Sequence, residues 1–190
     1  MYVRTKLAVA VLAVISIFAV SLPYSNAQAI PAGRKRGGDL DAFFTYGRAR
    51  TDFGPARNNV YTLGGDYMFR YFGMFQPGVN LRYRASTGAA VSEPFFGAGL
   101  DVRLPMVLHH LRPYAVADVG IGSVKQKPVG VDDSGMSYIL GGGFDVPLVN
   151  RFAARAEFNY QHIKISGGGR SPDLTYTPYS IGVGVVYRIR

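Results

Sequence analysis

The chain predicts an all-β fold: an eight-stranded antiparallel up-and-down barrel that crosses a membrane. Three observations carry this prediction. Apolar and polar residues alternate in about eight passes between Asp39 and the last residue. The two faces so defined differ in glycine, charge and aromatic content. An export-type segment precedes the first pass.

That segment comes first in the chain. Arg4 and Lys6 make a basic start, and Leu7 to Leu22 is apolar apart from Ser16 and Ser21. Pro23 follows, and Ala27-Gln28-Ala29 gives the small-x-small pattern a signal peptidase cuts. A membrane-spanning helix needs roughly 20 apolar residues. This run is shorter and ends in a cleavage-type sequence, so residues 1–29 are expected to be a signal peptide. Residues 30–37 are expected to be a short N-terminal periplasmic segment, and 38–190 the barrel.

The strands are expected at about 38–48, 60–71, 75–85, 93–104, 113–124, 136–147, 151–164 and 175–189. In the first, Leu40, Ala42, Phe44 and Tyr46 share one face. The second offers Tyr61, Leu63, Tyr67, Phe69 and Tyr71, the third Phe75, Val79, Leu81 and Tyr83. Phe96, Ala98, Leu100, Val102 and Leu104 mark the fourth. The fifth, Ala115, Ala117, Val119 and Ile121, is the weakest stripe. Tyr138, Leu140, Phe144 and Val146 follow, then Phe152, Ala154, Ala156, Phe158 and Tyr160. The last is the clearest, with Tyr179, Ile181, Val183, Val185, Tyr187 and Ile189 on one side. Period-two alternation of this length defines strands with one greasy and one polar face. Short links are expected around Gly73, at 105–112 and at 147–150. Longer surface loops are expected at 49–59, 86–92, 125–135 and 165–174, where Gly, Ser, Asp, Asn and Pro collect.

A soluble barrel would alternate too, with its apolar face inside. Three features turn the apolar face outward. Strand glycines fall mostly on the polar face: Gly64, Gly78, Gly97, Gly99, Gly120, Gly122, Gly141, Gly143, Gly182 and Gly184. A solvated face has no need of a residue that weakens strands, whereas the crowded interior of a narrow barrel does. The polar face also carries both signs of charge with almost no lysine. Its residues are Asp39, Asp41, Asp66, Arg70, Arg82, Arg84, Asp101, Arg103, Asp118, Asp145, Arg155, Glu157 and Arg188, the expected lumen charge network. Arginine's planar fork suits enclosed pairing with carboxylates. Finally, aromatics sit at strand ends on the apolar face. Tyr46, Tyr61, Tyr83, Phe96, Tyr138, Tyr160 and Tyr179 fall near one rim, and Tyr71, Phe75, Phe152 and Tyr187 near the other. These are the girdles of a bilayer-spanning barrel.

Residues 38–190 resemble the small outer-membrane β-barrel superfamily that includes the OmpA transmembrane domain and OmpX-like proteins. Gly97-Ala-Gly-Leu-Asp-Val-Arg103 and Gly141-Gly-Gly-Phe-Asp-Val146 are similar to family strands of the form Gly-x-Gly-hydrophobic-Asp-hydrophobic. Gly184, Tyr187 and Ile189 resemble the family's C-terminal assembly signal, with Ile189 where an aromatic is usual and Arg190 added. The resemblance implies a bacterial outer-membrane location, recognition by the barrel-assembly machinery, and the possibility of lipid A-modifying chemistry known in some eight-stranded barrels.

The sequence alone favours a structural or interaction role, with a lumen filled by side chains and loops at the surface that meet an extracellular ligand. A narrow channel is the alternative, and there Arg82, Arg84, Arg103 and Arg155 would favour anions. Phe43, Phe95, Tyr114 and Ile139 in the lumen argue against a wet pore. An enzyme is the second alternative. His162 and Ser166 lie near one rim, but His162-Ile-Lys-Ile-Ser166 lacks a His-x-Ser-Asn arrangement. No catalytic, cofactor or metal residues are assigned. His109 and His110 are adjacent and point apart on a strand. Asp132-Asp133 suits solvated loop acids better than a calcium site. The glycine doublets Gly64-Gly65 and Gly141-Gly142 follow no phosphate-loop spacing. The chain has no cysteine, so no disulfide or thiolate metal site exists. Without Arg4 and Lys6 the basic residues number 19 against 12 acids, +7. The export signal argues against nucleic acid as a partner. Arg34-Lys35-Arg36, Lys125, Lys127, Lys164 and Arg170 suit anionic lipid or lipopolysaccharide phosphates instead, or serve as ordinary solubilising charge.

Overall fold

The computed structural model of the protein describes residues 38–52, 57–107, 110–127, 131–165 and 174–189. The expected signal peptide and the segment 30–37 lie outside the described residues.

Nine β-elements follow one another without a described helix. They are β1 (Asp39–Arg50), β2 (Arg57–Met68), β3 (Gln76–Thr87), β4 (Val91–Arg103), β5 (Arg112–Gln126), β6 (Val131–Pro147), β7 (Phe152–Ile165), β8 (Leu174–Tyr176) and β9 (Tyr179–Arg188). All neighbours pair antiparallel, from β6 through β5, β4, β3, β2 and β1 to β9, then β7, which returns to β6. The ring of β1–β7 and β9 is therefore closed, so that none of these described strands is left unpaired along a whole edge for lipid to face. β8 and β9 together make the eighth stave. Thr177-Pro178 interrupts it, since proline cannot donate to the ladder, while the Pro178 carbonyl still accepts from the Gln161 N–H at 2.9 Å.

Outward positions are exposed and apolar along every stave, while inward positions are buried and largely polar. Along β9 the outward stripe runs Tyr179 to Ile189. Ten residue steps of ~3.4 Å at a tilt of ~40° rise ~26 Å, matching the ~25 Å apolar band of an outer-membrane barrel.

The hairpin tips explain the register. Phe72 and Phe75 exchange backbone hydrogen bonds of 2.7 and 3.1 Å around Gly73, whose φ of 60° a side chain would disfavour. At the β6–β7 turn the non-glycine Asn150 takes φ 50°, a conformation asparagine tolerates.

The expected long loops are shorter than the sequence suggests. At the end of the barrel away from the termini, the connections are 51–56, 88–90, 127–130 and 166–173. The strands instead extend past the expected boundaries. Lys125 and Asp132, expected in a loop, are cross-strand partners with an ion pair of 2.7 Å. The Gly88 N–H donates to the Val91 carbonyl at 3.0 Å and the Lys127 N–H to Ala90 at 3.0 Å. Polar composition marks this stretch as loop, but its backbone groups complete the ladder.

Candidate functional site

The chemistry of this chain is concentrated in the lumen, which is built in tiers. At the end that carries the termini, Met68 is buried and Gln76 donates from Nε2 to Asp39 Oδ2 (3.2 Å) and to the Phe69 carbonyl (3.1 Å). Above this floor lies a carboxylate–guanidinium tier. Asp66 Oδ2 receives both Arg103 (2.8 Å) and Arg155 (3.0 Å). Arg103 also pairs with Asp41 at 2.5 Å, and Arg155 grips Asp145 through Nε and a terminal nitrogen at 2.8 and 3.1 Å. The Arg155 guanidinium is sandwiched between Phe43 and Tyr114, 4.5 Å from each ring centroid. Desolvated arginines thus find both charge partners and π faces.

The next tier centres on Arg82, which pairs with Asp118 (3.1 Å) and Glu157 (3.5 Å) and lies over Phe43 at 5.1 Å. Thr45 donates its hydroxyl to Glu157 at 2.6 Å. Higher still, Arg84 donates to Gln161, Gln161 donates to Ser137 (3.1 Å), and Asn58, Ser86 and Glu93 form a chain at 3.1 and 3.2 Å. The far end changes character: Val91, Val124, Ile163 and Ile165 form a buried apolar cluster with Tyr176 packed against it.

Cross-strand glycines make these side chains fit. Gly64 is the partner of Phe43, and a Cβ there would stand 2.5 Å from the Phe43 ring. Gly97, two residues along β4 from Phe95, spares that ring in the same way, a Cβ there standing 2.5 Å from it. Gly143 and Gly182 flank Glu157 on its two neighbouring strands. The glycines of the polar face are the complement of the bulky lumen residues.

Most of the thirteen expected network residues come together here, with differences. Arg70 does not: it lies beyond the end of β2 and is exposed, because the strand stops at Met68 and the chain turns out of the lumen. Asp39 and Arg188 sit at the rim, Arg188 reaching Asp41 at 3.3 Å. Asp101 is buried 3.9 Å from Arg103, and its oxygens accept no hydrogen bond from the described residues. Glu93 is missing from the expected set although it is fully buried; two-residue steps back from Asp101 lead to it. The expectation that Arg82, Arg84, Arg103 and Arg155 would make a channel favour anions is corrected as well. Seven buried carboxylates (Asp41, Asp66, Glu93, Asp101, Asp118, Asp145, Glu157) outnumber four buried arginines (Arg82, Arg84, Arg103, Arg155), so a pore here would not favour anions.

The girdle residues Tyr46, Tyr61, Tyr71, Phe75, Tyr83, Phe96, Tyr138, Phe152, Tyr160, Tyr179 and Tyr187 are all exposed. Tyr46 and Tyr61 are register partners with rings 5.1 Å apart, as are Phe152 and Tyr187. His162 stacks on Tyr138 at 4.5 Å, on the outer face, and Ser166 and His109 lie outside the described residues. Among the described residues, no group of three or more His, Cys, Asp or Glu is placed to hold a metal ion. Ile189 donates its N–H to the Leu40 carbonyl at 2.8 Å, which ties the C-terminal segment to β1.

Closure, an outward apolar band and a charged lumen define a class, the transmembrane β-barrels of eight staves. The chain belongs to the outer membrane protein β-barrel domain family, whose model matches residues 10–188. No curated protein matches it. Among solved structures it is similar to Neisserial surface protein A (12% identity, TM-score 0.54, covering 80% of this chain and 97% of that one). It is also similar to the N-terminal β-barrel domain of Pseudomonas aeruginosa OprF (14%, 0.52, 80% and 99%). The attachment invasion locus protein Ail of Yersinia pestis aligns with 16% identity, TM-score 0.47, and 80% and 99% coverage. At these identities the likeness is one of fold.

Proposed function

We propose that this outer-membrane barrel is a non-enzymatic structural and interaction protein of the envelope with a closed lumen. The observation that carries the reading is the double closure of the interior. Buried ion pairs fill the half nearer the termini, and the Val91–Val124–Ile163–Ile165 cluster with Tyr176 stops the other. An eight-stranded interior is just wide enough for side chains to fill. The barrel is oriented with its termini in the periplasm and enters the membrane through the assembly machinery, which reads Gly184, Tyr187 and Ile189. Its outward face meets lipid and lipopolysaccharide. The connections at the far end are the surface open to an extracellular ligand, and three of them are brief.

Planar-bilayer recording of the refolded protein tests the closure. The expected result is no single-channel activity, and reproducible steps would sink the closed-lumen reading in favour of a narrow channel. The membrane assignment has its own check. The folded barrel migrates differently on gels before and after boiling, whereas a monomer soluble without detergent refutes it.

A further inference from the structure

Every deeply buried arginine in the barrel has a partner, but three exposed ones on the outer face do not fit that rule. Arg48 and Arg50 follow Tyr46 in the outward phase of β1, and Arg57 opens β2. Arg50 and Arg57 are direct register partners, so two guanidinium groups stand on facing positions. Like charges placed directly opposite destabilise a strand pair. None of the three makes an ion pair with a described residue. The nearest acid in sequence, Asp52, is engaged elsewhere: Thr177 donates to Asp52 Oδ2 from its backbone N–H at 2.5 Å and from its hydroxyl at 3.1 Å. Lys125, at the same end of the barrel, has Asp132. Among the described residues the Arg48–Arg50–Arg57 group has no such neighbour, which leaves three exposed guanidinium groups free to meet an anion from outside the chain.

Its height says which anion. Directly below it, Tyr46 and Tyr61 form a ring pair, and the Tyr46 hydroxyl donates to Asn59, the register partner of Arg48. Tyr179 is the partner of Arg50 on the other side. Tyrosines of this kind mark the boundary between hydrocarbon and headgroups. Along a strand tilted by ~40°, the two residues from Tyr46 to Arg48 rise ~5 Å, and the four residues to Arg50, or from Tyr61 to Arg57, ~10 Å, so the guanidinium groups stand in the headgroup layer, at the level of lipid phosphates. Guanidinium forks bind phosphate oxygens in bidentate fashion.

We propose that Arg48, Arg50 and Arg57 form a docking site for the phosphate of a phosphorylated lipid headgroup in the leaflet at the far end of the barrel. The proposal rests on the membrane reading above. It assigns a lipid contact to β1 and β2, away from the lysines of β5–β7.

The test uses full-length barrel refolded in neutral detergent, with bisphosphorylated lipid A, the same lipid after dephosphorylation, and inorganic phosphate as probes. Native mass spectrometry reads bound lipid, and the boiling-dependent gel shift reads folding. Wild type is expected to retain phosphorylated over dephosphorylated lipid. At the ordinary worth of one basic residue near an anionic membrane surface, the R48Q/R50Q/R57Q variant is expected to lose roughly 100-fold in retention. The variant should keep its gel shift, because the three side chains lie outside the lumen. Lys125→Gln and Lys164→Gln should retain lipid as wild type does. Equal retention by the triple variant overturns the proposal, as does equal binding of the dephosphorylated lipid. Displacement of the lipid by equimolar inorganic phosphate overturns the lipid half and leaves a bare anion site. A wild-type chain without a gel shift overturns the membrane reading, and the proposal with it.

Discussion

The two halves of the lumen solve the same packing problem with opposite chemistry. Near the termini, Asp41, Asp66, Asp145, Arg103 and Arg155 fill the space as a charge network. At the far end, Val91, Val124, Ile163 and Ile165 fill it as a small oil drop. The contrast teaches that period-two alternation sets which way a side chain points without setting its polarity. Inward means enclosed, and enclosure accepts a satisfied ion pair or a packed aliphatic group equally well.

Variants in each half sharpen this difference. The largest effect is expected from Arg155→Met. It removes the group that holds Asp66 and Asp145 and raises a carboxylate excess that already exists, so a loss of ~3–5 kcal/mol is expected in urea unfolding from lipid vesicles. A loss below that of any aliphatic variant would mean the charged half is not the stronger one. Ile163→Ala, in the apolar half, should cost ~2–4 kcal/mol by the same measurement. It should also raise hydrogen exchange of neighbouring β7 amides before those around Asp66. Gly64→Val drives a side chain into the Phe43 ring and should cost ~1–3 kcal/mol; pairing it with Phe43→Ala should return part of the loss. Asp101→Asn should be the mildest, neutral or slightly stabilising, because it lowers the carboxylate excess at a group that accepts no hydrogen bond from the described residues. A large loss there would show that Asp101 holds Arg103 despite their separation of 3.9 Å.

The fold was legible in the sequence because geometry and chemistry agree along most staves: Tyr179 to Ile189 alternates without a slip, and the inward glycines sit where Phe43, Phe95 and Glu157 need room. Legibility failed where the two part. Ile163 and Ile165 share the inward phase of Arg155 and Glu157, yet their apolar character hides them from a search for polar residues. Glu93 escaped because the fourth strand was expected to start there. Arg70 has the right phase but lies past the last ladder residue, and phase says nothing of where a strand stops. The row of Asp132 to Gly135 looks like loop by composition, and only pairing with β5 makes it strand. Cross-strand adjacency, such as Arg50 beside Arg57, is invisible until register is known.

The seam joins β1 to β9, and the Asp41–Arg188 ion pair across it spans 147 positions of sequence. Contacts of such separation form late and slowly, because a long loop must close first. Until the final strand arrives, β1 exposes a row of unpaired backbone groups that invites pairing with the wrong chain. The molecule's last residues act as the latch of the whole barrel, and the time before that latch shuts is its window of greatest aggregation risk.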